Sequence, residues 1–400
     1  MIRKAFLHAN VIDVLNDKIL PDTTIFVEDG KITAILAETP EGLQRFCCKI
    51  CMAVDLQNAY VCPGLFNVHV HCTKTGAGDQ SLEKLSEAQR TILAINNLAT
   101  YIRDGVTFIR DVGCQGMIAL DLRDAVKDGR IPVAPDMVVA GRGITMTGGS
   151  SYMSAIEADG TDECRKAARQ LLKAGVDWIK LFATGGVCTP NGIPGAVQLD
   201  VEEMAVVVHE AHKVGVKVCV HAENPEGICN SLLAGVDCIE HGDGIDDKTL
   251  GLFKQTGAWF VPTLASAFDI VSGAGQGVPE EFVQKAAELA EASLGNFRKA
   301  FDAGVPCACG TDCGTPFCFH TSSSKEPVIM VERCGLTPYQ ALRAATFESA
   351  RLLGVEQELG SIEVGKKAHF AVYQNNPIED IHHLLQCDMT IKNGEILWKR

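Results

Sequence analysis

The middle of the chain alternates short apolar segments with helical ones, and this alternation limits the fold more than any other feature. A strand, a helix and a further strand in succession give parallel strands that are covered by helices. Eight apolar segments follow one another in this way: VCPGLFNVHVH, VTFIRDVG, DMVVAGRGIT, WIKLFATGG, VKVCVHAE, CIEHGD, WFVPTL and VPCACGTD. Eight repeats predict an α/β fold of the (β/α)8 TIM-barrel type. A doubly wound parallel sheet is the alternative.

Three of the intervening helices are predicted by their capping signals as well as by their periodicity. Their sequences are TDECRKAARQLLKAG, DVEEMAVVVHEAHKVG and PEEFVQKAAELAEASLGNFRKAFDAG. Asp, Thr and Pro favour the first positions of a helix, and Gly favours its end. We therefore expect a helix in each of these segments.

Both ends of the chain carry the same local pattern, in which a tight turn joins two alternating strands. TIFVEDGKITAIL contains an Asp-Gly turn, and MTIKNGEILWK contains an Asn-Gly turn. These dipeptides favour the type I′ turn of a two-residue hairpin. The pattern predicts a small β-sandwich domain formed by both termini, residues 1–60 and 358–400. The barrel is then expected over residues 61–357.

Size and charge exclude several classes of function. A chain of 400 residues with 46% hydrophobic content can bury a large core. Its net charge of −14 argues against nucleic acid or an anionic membrane as a partner, because like charges repel. No segment has the apolar length of a membrane helix, and the first residues do not resemble a signal peptide.

The 17 cysteines are scattered without the regular spacing of a disulfide scaffold. Reduced thiols in the cytoplasm are the expected state. Cys47, Cys48 and Cys51 in FCCKIC have the local spacing of a metal knuckle. Because no second pair of ligands lies nearby, we expect ordinary thiols there rather than a structural zinc site.

The segment GLFNVHVHC places two histidines, His69 and His71, one residue apart at the end of an apolar run. In a strand, alternate side chains share a face, so both imidazoles are expected on the same side. Two histidines that are satisfied by hydrogen bonds at a strand end are the alternative interpretation. The rest of the sequence has to distinguish the two.

Other polar residues stand at the ends of other predicted strands. His221 ends the fifth strand, His241 ends the sixth and Asp312 ends the eighth. The carboxyl ends of barrel strands meet at one mouth, where active sites lie. Imidazole and carboxylate together suit zinc or a similar divalent ion. The sequence therefore predicts a metal site that includes His69 and His71.

Lys180 is the most unusual residue of the predicted barrel. It alternates with Trp178, Phe182 and Thr184 on the inward face of the fourth strand. An ammonium group inside a barrel is costly to desolvate and repels metal ions. If Lys180 stays an ammonium group, its side chain is expected to extend to the rim of the barrel, where water can solvate the charge. The alternative is that CO2 adds to the amine, and the resulting carbamate bridges two metal ions.

With these positions in view, the chain resembles the amidohydrolase superfamily, in its imidazolonepropionase-related binuclear group. That group includes Xaa-Pro dipeptidases, arginine and lysine carboxypeptidases and ochratoxin-type amidases. The resemblance covers nearly the whole chain, and the motifs that carry it are PGLFNVHVH, IKLFATGGV, VHAENPEGI, AGVDCIEHG, PTL, GTDCGTPF and GSIEVGKKAHFAV.

The resemblance implies a site with two divalent metal ions, zinc being the expected metal. The implied ligands are His69, His71 and Asp312 for the first ion, His221 and His241 for the second, and carboxylated Lys180 between them. A hydroxide between the ions is the implied nucleophile, and Asp312 is the implied proton shuttle. The implied substrates are small molecules such as N-acyl amino acids, dipeptides and lactams. A homo-oligomer is left open.

Three positions depart from the pattern of the group. Asn67 stands where an aspartate is usual, Ser150 where a histidine is frequent, and Glu223 where peptidases tend to carry an aromatic residue. Glu223 is expected at the rim of the metal pocket, because it lies two residues beyond His221 on the same strand face. We expect it to disfavour a substrate carboxylate.

Substrate contacts are predicted from the loops around the strand ends. The candidates are Ser150, Tyr152, Glu223 and His320. His320 and Lys325, on the loop after the eighth strand, are the positively charged or donor groups that could reach inward. Alternatively, Glu223 forms a salt bridge with that loop, or it caps the helix that begins near Pro225.

Two other functional classes remain as alternatives. Mononuclear deaminases and imidazolonepropionase itself share this scaffold and act on cyclic amidines or heterocycles, but they lack the lysine of the fourth strand. A non-catalytic scaffold relative would have lost metal ligands. About two metal ions per chain would indicate the binuclear amidase, about one the deaminase, and none the scaffold protein.

Overall fold

The chain folds into a mixed α/β structure, with one sheet formed by its two ends and parallel strands in its middle. The computed structural model describes residues 3–37, 52–77, 85–190 and 192–400. Cys47, Cys48 and Cys51, for which ordinary thiols are predicted, lie outside the described residues.

The elements of the described chain are numbered in order. The strands are β1 Arg3–Asp13, β2 Lys18–Glu28, β3 Lys31–Ala37, β4 Met52–Asp55, β5 Tyr60–Pro63, β6 Leu65–Val70, β7 Val106–Asp111, β8 Asp136–Val139, β9 Ile144–Thr145, β10 Ile156–Glu157, β11 Trp178–Phe182, β12 Lys217–Ala222, β13 Cys238–His241, β14 Trp259–Val261, β15 Phe370–Tyr373, β16 Met389–Lys392 and β17 Glu395–Lys399. The helices are α1 Glu87–Arg103, α2 Ile118–Lys127, α3 Gly160–Ala174, α4 Val201–His212, α5 Pro225–Ala234, α6 Asp247–Thr256, α7 Leu264–Ser272, α8 Glu280–Asp302, α9 Lys325–Glu332, α10 Pro338–Arg343 and α11 Ser349–Leu353, with a π-helical turn at Ala344–Glu348 and a 3-10 turn at Ile381–Leu385. Among the described helices, none has both the length and the apolar character that a membrane crossing requires.

The two ends of the chain form a single sheet in the order β17-β16-β15-β5-β1-β2-β3, with β4 beside β1. The β2–β3 hairpin turns at Asp29 and Gly30, which have φ of 48° and 80°. The β16–β17 hairpin turns at Asn393 and Gly394, with φ of 50° and 72°. Positive φ at both central residues defines the type I′ turn, so both predicted hairpins are confirmed.

The terminal sheet has an apolar core of its own. Its fully buried members include Phe6, Ala9, Ile25, Val61, Phe370 and Ile391. These side chains come from strands near both termini, so neither end of the chain buries this core without the other. β5 pairs with β1 and β15 in this sheet and directly precedes the first strand of the parallel region.

The middle of the chain supplies the parallel strands. β6, β7 and β8 form one sheet, and β10-β9-β11-β12-β13-β14 form a second one in that order. Every strand pair within these two sheets is parallel. The three helices with clear capping signals are confirmed as α3, α4 and α8. α3 ends at Gly175 in the left-handed conformation, as its sequence predicts.

The eighth predicted strand, VPCACGTD, is not a regular strand. Its residues divide their backbone hydrogen bonds between two neighbours. The Ala308 amide donates to a β14 carbonyl (3.0 Å), and the Cys309 carbonyl accepts from a β6 amide (2.9 Å). The extended run stops because Asp312 has φ of 61°, which is outside the strand region. We call residues 305–313 the linking segment.

Gly310 allows the linking segment to lie directly against β6. A Cβ atom at this position would meet the Cβ of His69 at 2.7 Å and a methyl group of Val261 at 2.6 Å. Neither neighbour can move freely, because one belongs to β6 and the other to β14. The close approach therefore requires glycine.

We expect Gly310→Ala to lower the free energy of unfolding by about 1–3 kcal/mol, because the added methyl group overpacks this contact. Gly251→Ala is the matched control: the position lies in α6, and a Cβ there has no atom within 4 Å. The control should be equal to wild type or slightly more stable. Chemical denaturation of both variants measures the effect, and equal stability of the two would contradict the assignment.

Candidate metal centre

The six predicted ligands line one cavity beside the parallel strands. They are His69, His71, Lys180, His221, His241 and Asp312. The volume of the cavity is about 90 Å³, several times the space that one water molecule needs. The structure thus brings together residues that are far apart in the sequence.

His69, His71 and Asp312 converge most closely. The distance from Asp312 Oδ1 to His71 Nε2 is 3.0 Å, and to His69 Nε2 it is 3.4 Å. One ligand atom from each residue lies within 4.8 Å of the other two, which is close enough for all three to hold one metal ion.

The hydrogen bonds of the two imidazoles determine which ring nitrogens carry protons. His71 Nδ1 lies 2.7 Å from the carbonyl oxygen of Gly113, and His69 Nδ1 lies 2.7 Å from a carboxylate oxygen of Glu240. Both partners are acceptors, so both Nδ1 atoms donate. In the neutral rings, the Nε2 atoms then present lone pairs to Asp312.

Asp312 Oδ1 is buried and receives no hydrogen bond from any described residue. It faces the lone pairs of two histidines, so three acceptors point at one another without a donor between them. A cation at this point would satisfy all three. Two imidazole nitrogens and a carboxylate oxygen are the donor set that suits zinc and similar divalent ions. The residues therefore fit a metal.

The pKa values of these groups favour the ligating states. Burial lowers the pKa of His71, with a further contribution from nearby Lys74. Burial also lowers the pKa of His221, to about 3. His71 and His221 are thus neutral, as metal ligation requires.

His221 and His241 lie on the adjacent side of the cavity, with ring centroids 4.5 Å apart. His241 Nδ1 is 2.7 Å from the hydroxyl of Thr263, and that hydroxyl donates to the Pro262 carbonyl. The hydroxyl must therefore accept from His241, whose Nε2 is left with a lone pair. His221 Nε2 lies 3.3 Å from the Gly185 carbonyl oxygen.

Lys180 lies inside the protein and not at the rim, since it is only 1% exposed. Its Nζ atom is 5.4 Å from the centroid of the Phe182 ring. It forms no hydrogen bond or ion pair within the described part of the chain. A buried ammonium without an anionic partner is unfavourable. The burial of Lys180 therefore needs a chemical reason.

Among the predicted ligands and their hydrogen-bond partners, three residues that are not glycine have positive φ. Their φ values are 71° at His241, 52° at Thr263 and 61° at Asp312. Such conformations cost free energy and persist where the surrounding structure imposes them, often at functional sites. Here each one turns the chain at the point where a predicted ligand, or the partner of a predicted ligand, faces the cavity.

An ion pair beneath the ligands was not predicted from the sequence. Arg110 Nη2 donates to Glu240 Oε1 (2.7 Å), and both side chains are fully buried. Arg110 also donates to the Val68 carbonyl and lies over the Trp178 ring. The other oxygen of Glu240 orients His69. The available signal was a charged residue within an apolar strand, as in VTFIRD and CIEH.

Asn67, one of the departures from the family pattern, is fully buried and supports the linking segment. Its amide group donates to the hydroxyls of Thr311 (2.6 Å) and Ser323 (3.0 Å). Its carbonyl oxygen accepts from the Thr311 backbone amide (3.1 Å). An aspartate could not donate to these hydroxyls. Asn67 therefore helps to position Asp312 through the preceding residue.

The predicted substrate contacts are divided between the cavity and the surface. Ser150 and Glu223 line the cavity, as predicted. Tyr152 is 39% exposed and is not among the residues that line the cavity. The structure therefore does not bring Tyr152 to the metal ligands.

The loop after the linking segment does not place its two candidate cations in the cavity. His320 is buried, where its ring nitrogens face the Tyr101 hydroxyl (2.6 Å) and the Lys74 carbonyl oxygen (2.7 Å). Lys325 forms an ion pair with Asp269 (2.7 Å). Both side chains are thus engaged in contacts that fix the loop.

Residues that sequence reasoning missed form much of the remaining cavity wall. They include Lys74, Val187, Cys188 and Asp243 on loops, and Ser266 and Ile270 on α7. Nothing in the local sequence marks these positions, because they reach the cavity through the paths of loops and of α7 and not through strand periodicity.

A family profile and the sequences of known proteins match most of this chain. Residues 60–397 match the sequence profile of the Amidohydrolase family. An ochratoxinase from Aspergillus niger is 28% identical over 353 residues, which cover 80% of this chain and 71% of the ochratoxinase. An imidazolonepropionase from Geobacillus sp. (strain WCH70) is 29% identical over 413 residues, covering 95% and 91%.

Solved structures show the same similarity. A Xaa-Pro dipeptidase with methionine bound in its active site superposes on this chain with a TM-score of 0.90. The two sequences are 31% identical, and the superposition covers 100% of both chains. The terminal sheet and the parallel region are therefore both shared with that protein.

We expect Thr263→Ala to weaken metal binding by about 10- to 100-fold, because His241 loses the hydrogen bond that orients its ring. Thr263→Ser keeps the hydroxyl and should bind metal as wild type does. Competition with a chromophoric chelator measures the affinity of each protein. Equal affinity in the alanine variant would show that the hydroxyl does not position His241.

Proposed function

The chain belongs to the amidohydrolase family, and on that premise we propose that it is a metal-dependent hydrolase of a carbon–nitrogen bond in a small amide, peptide or lactam. The observation that carries the proposal is the convergence of His69 Nε2, His71 Nε2 and Asp312 Oδ1 without a donor between them. N-acyl amino acids and dipeptides are the proposed substrates. The names of the relatives, which include an ochratoxinase and a Xaa-Pro dipeptidase, support this class.

The proposed scaffold is a closed (β/α)8 barrel over residues 61–357, with a β-sandwich domain from residues 1–60 and 358–400. The linking segment supports closure because it hydrogen-bonds to both β14 and β6. A backbone hydrogen bond from Asp177 to Val139 (2.9 Å) supports continuity between β8 and the start of β11.

The proposed centre holds two divalent ions, zinc by preference. His69, His71 and Asp312 would hold one, and His221 and His241 would hold the other. When bound, such ions lower the pKa of a water molecule towards about 7 and polarise a carbonyl group.

Lys180 is proposed to carry a carbamate between the two ions. Its amine nitrogen would form a bond to the carbon of CO2 and release one proton. The group would then be an anion, which explains how Lys180 can be buried beside histidine ligands without an acidic partner.

The proposed catalytic role of Asp312 follows from its position. Its Oδ1 faces the two histidines, and its Oδ2 lies 3.5 Å from the Ser266 hydroxyl, a weak contact that leaves it available. Asp312 would take a proton from the attacking water and give it to the leaving nitrogen. The Nε2 lone pairs of His69 and His71 would be engaged with the metal ion and so would not compete for that proton.

A mononuclear deaminase or cyclic amidine hydrolase is the second candidate, favoured by the similarity to an imidazolonepropionase. The buried Lys180 argues for the binuclear site. A non-catalytic scaffold relative is disfavoured because all six predicted ligands are present. We place the enzyme in the cytoplasm, and its net charge of −14 supports a small-molecule substrate and not nucleic acid or an anionic membrane. A homo-oligomer is left open.

The proposed function is tested by a metal analysis and a substrate screen. Protein loaded with zinc in bicarbonate buffer should contain about two ions per chain. It should hydrolyse members of a panel of N-acyl amino acids, dipeptides and lactams. One ion per chain together with release of ammonia from heterocycles would support the deaminase instead.

We expect Lys180→Ala to abolish hydrolysis, because the bridging anion is lost. A short carboxylic acid such as acetate should restore part of the activity of this variant by replacing the carbamate. Lys217→Ala is a matched control, since this lysine donates to the Leu352 carbonyl and does not line the cavity. An unmodified Lys180 amine in an active, metal-loaded crystal would contradict the carbamate.

We expect Asp312→Asn to keep the fold and to lower kcat by orders of magnitude, because the amide cannot accept the proton. Circular dichroism and metal analysis check the fold and the site, and steady-state kinetics measure the loss. Near-normal turnover with normal metal content would show that another group moves the proton.

A further inference from the structure

Two carboxylates on the cavity wall have no role in the proposed hydrolysis. Glu223 follows β12, and Asp243 follows β13. Both line the same cavity as the metal ligands. Together with Asp312 they make the cavity acidic, so a substrate carboxylate would be repelled there.

The pairing of the two strands brings these carboxylates to neighbouring strand ends. Ala222 of β12 is the register partner of His241 of β13. The Gly242 amide donates to the Ala222 carbonyl beyond that pair (3.1 Å), which holds the two strand exits together. Glu223 and Asp243 therefore leave adjacent strand ends in the same direction along the chain.

One oxygen of the buried Glu223 carboxylate lacks a hydrogen-bond partner among the described residues. Its side chain is 8% exposed, and its Oε2 atom is buried without a hydrogen-bond donor in the described chain. The nearest basic atom to its Oε1 is His221 Nε2, at 3.5 Å. Asp243 is half-buried, and its carboxylate forms no hydrogen bond or ion pair with a described residue. Leaving a buried carboxylate such as Glu223 without a partner costs several kcal/mol of stability.

No lysine of the cavity wall fills this need. Lys74 and Lys180 line the cavity but form no ion pair with either carboxylate among the described residues. Lys285 is nearby, and its ammonium group is held by the carboxylate of Glu281 (2.5 Å) and the carbonyl of Thr189 (3.3 Å). A cationic group of a bound ligand would supply the positive charge that these lysines do not.

We propose that Glu223 and Asp243 form an anionic subsite that binds a protonated amine of the substrate. Because Glu223 lies against His221, a proposed metal ligand, the bound ammonium group lies close to the reacting carbonyl. An α-amino group meets this requirement, since it is two bonds from the carbonyl carbon. The inference rests on the proposed hydrolytic function and narrows its substrates to amides and peptides with a free α-amino group on the acyl half.

The subsite also explains which half of the substrate occupies it. In a dipeptide or an N-acyl amino acid, the leaving half carries a carboxylate at a similar distance from the scissile bond. The two carboxylates would repel that group. N-acylated substrates, which lack the ammonium group, should therefore be poor ones.

The kinetic test compares leucyl p-nitroanilide with 4-methylpentanoyl p-nitroanilide, which has the same shape but lacks the amine. We expect wild type to prefer the amine-bearing substrate. In Glu223→Gln the ratio of the two kcat/KM values should fall about 10- to 100-fold, as the loss of a charged hydrogen bond predicts. Asp243→Asn should lower the ratio in the same direction. Glu226→Gln, which removes an exposed charge a few residues away, should leave the ratio unchanged.

A binding test separates the subsite from the hydrolysis. Calorimetry measures the affinity of the metal-loaded proteins for 3-methylbutylamine and for the neutral 3-methylbutan-1-ol. Wild type should bind the amine more tightly, and Glu223→Gln should lose that preference. If neither anilide is cleaved but this loss is seen, the subsite stands and the hydrolytic proposal fails.

Two results would overturn the subsite. The first is that, in both tests, wild type does not prefer the amine-bearing compound, or prefers it to the same extent as Glu223→Gln does. The second is loss of bound metal in Glu223→Gln with an unchanged ratio of the two substrates. That second result would show that the carboxylate only balances the charge of the metal ions.

Discussion

The buried ion pair between Arg110 and Glu240 is the interaction on which the site depends. Burial acts to lower the pKa of Arg110 and to raise that of Glu240, but each charge overrides this effect on the other, so both remain ionised. The pair joins β7 to β13, and through His69 it reaches β6. Removing one member of such a pair leaves an uncompensated charge, at a cost of about 3–5 kcal/mol. His69, a predicted metal ligand, is thereby held by a fully buried ion pair.

The sequence predicted those features that are set by local chemistry. The Asp29-Gly30 and Asn393-Gly394 turns require positive φ at both positions, which these residue types allow, and both hairpins formed. Strand periodicity placed His69 and His71 on one side because alternate residues of a strand share a face. The metal roles of these residues, and of the other predicted ligands, stay predictions.

Features that depend on distant residues could not be predicted in the same way. Arg110 and Glu240 are 130 positions apart, and neither reveals its partner. The linking segment was expected to be a strand because its composition is apolar. It divides its hydrogen bonds between two neighbours because the close approach at Gly310 and the turn at Asp312 interrupt the extended run. Tyr152 stays on the surface, since the path of a loop is not encoded in its residue types.

The shared sheet of the two termini has a consequence for how the chain is made. β1, β2 and β3 are synthesised long before β15, which follows about 330 residues after β3. β5, which belongs to the same sheet, pairs with β15. At roughly 5–20 residues per second, a ribosome needs on the order of 20–70 s to span that interval. During this time the nascent sheet has an open edge that can pair with other chains. Prompt release of the C-terminal strands therefore protects the N-terminal ones from aggregation.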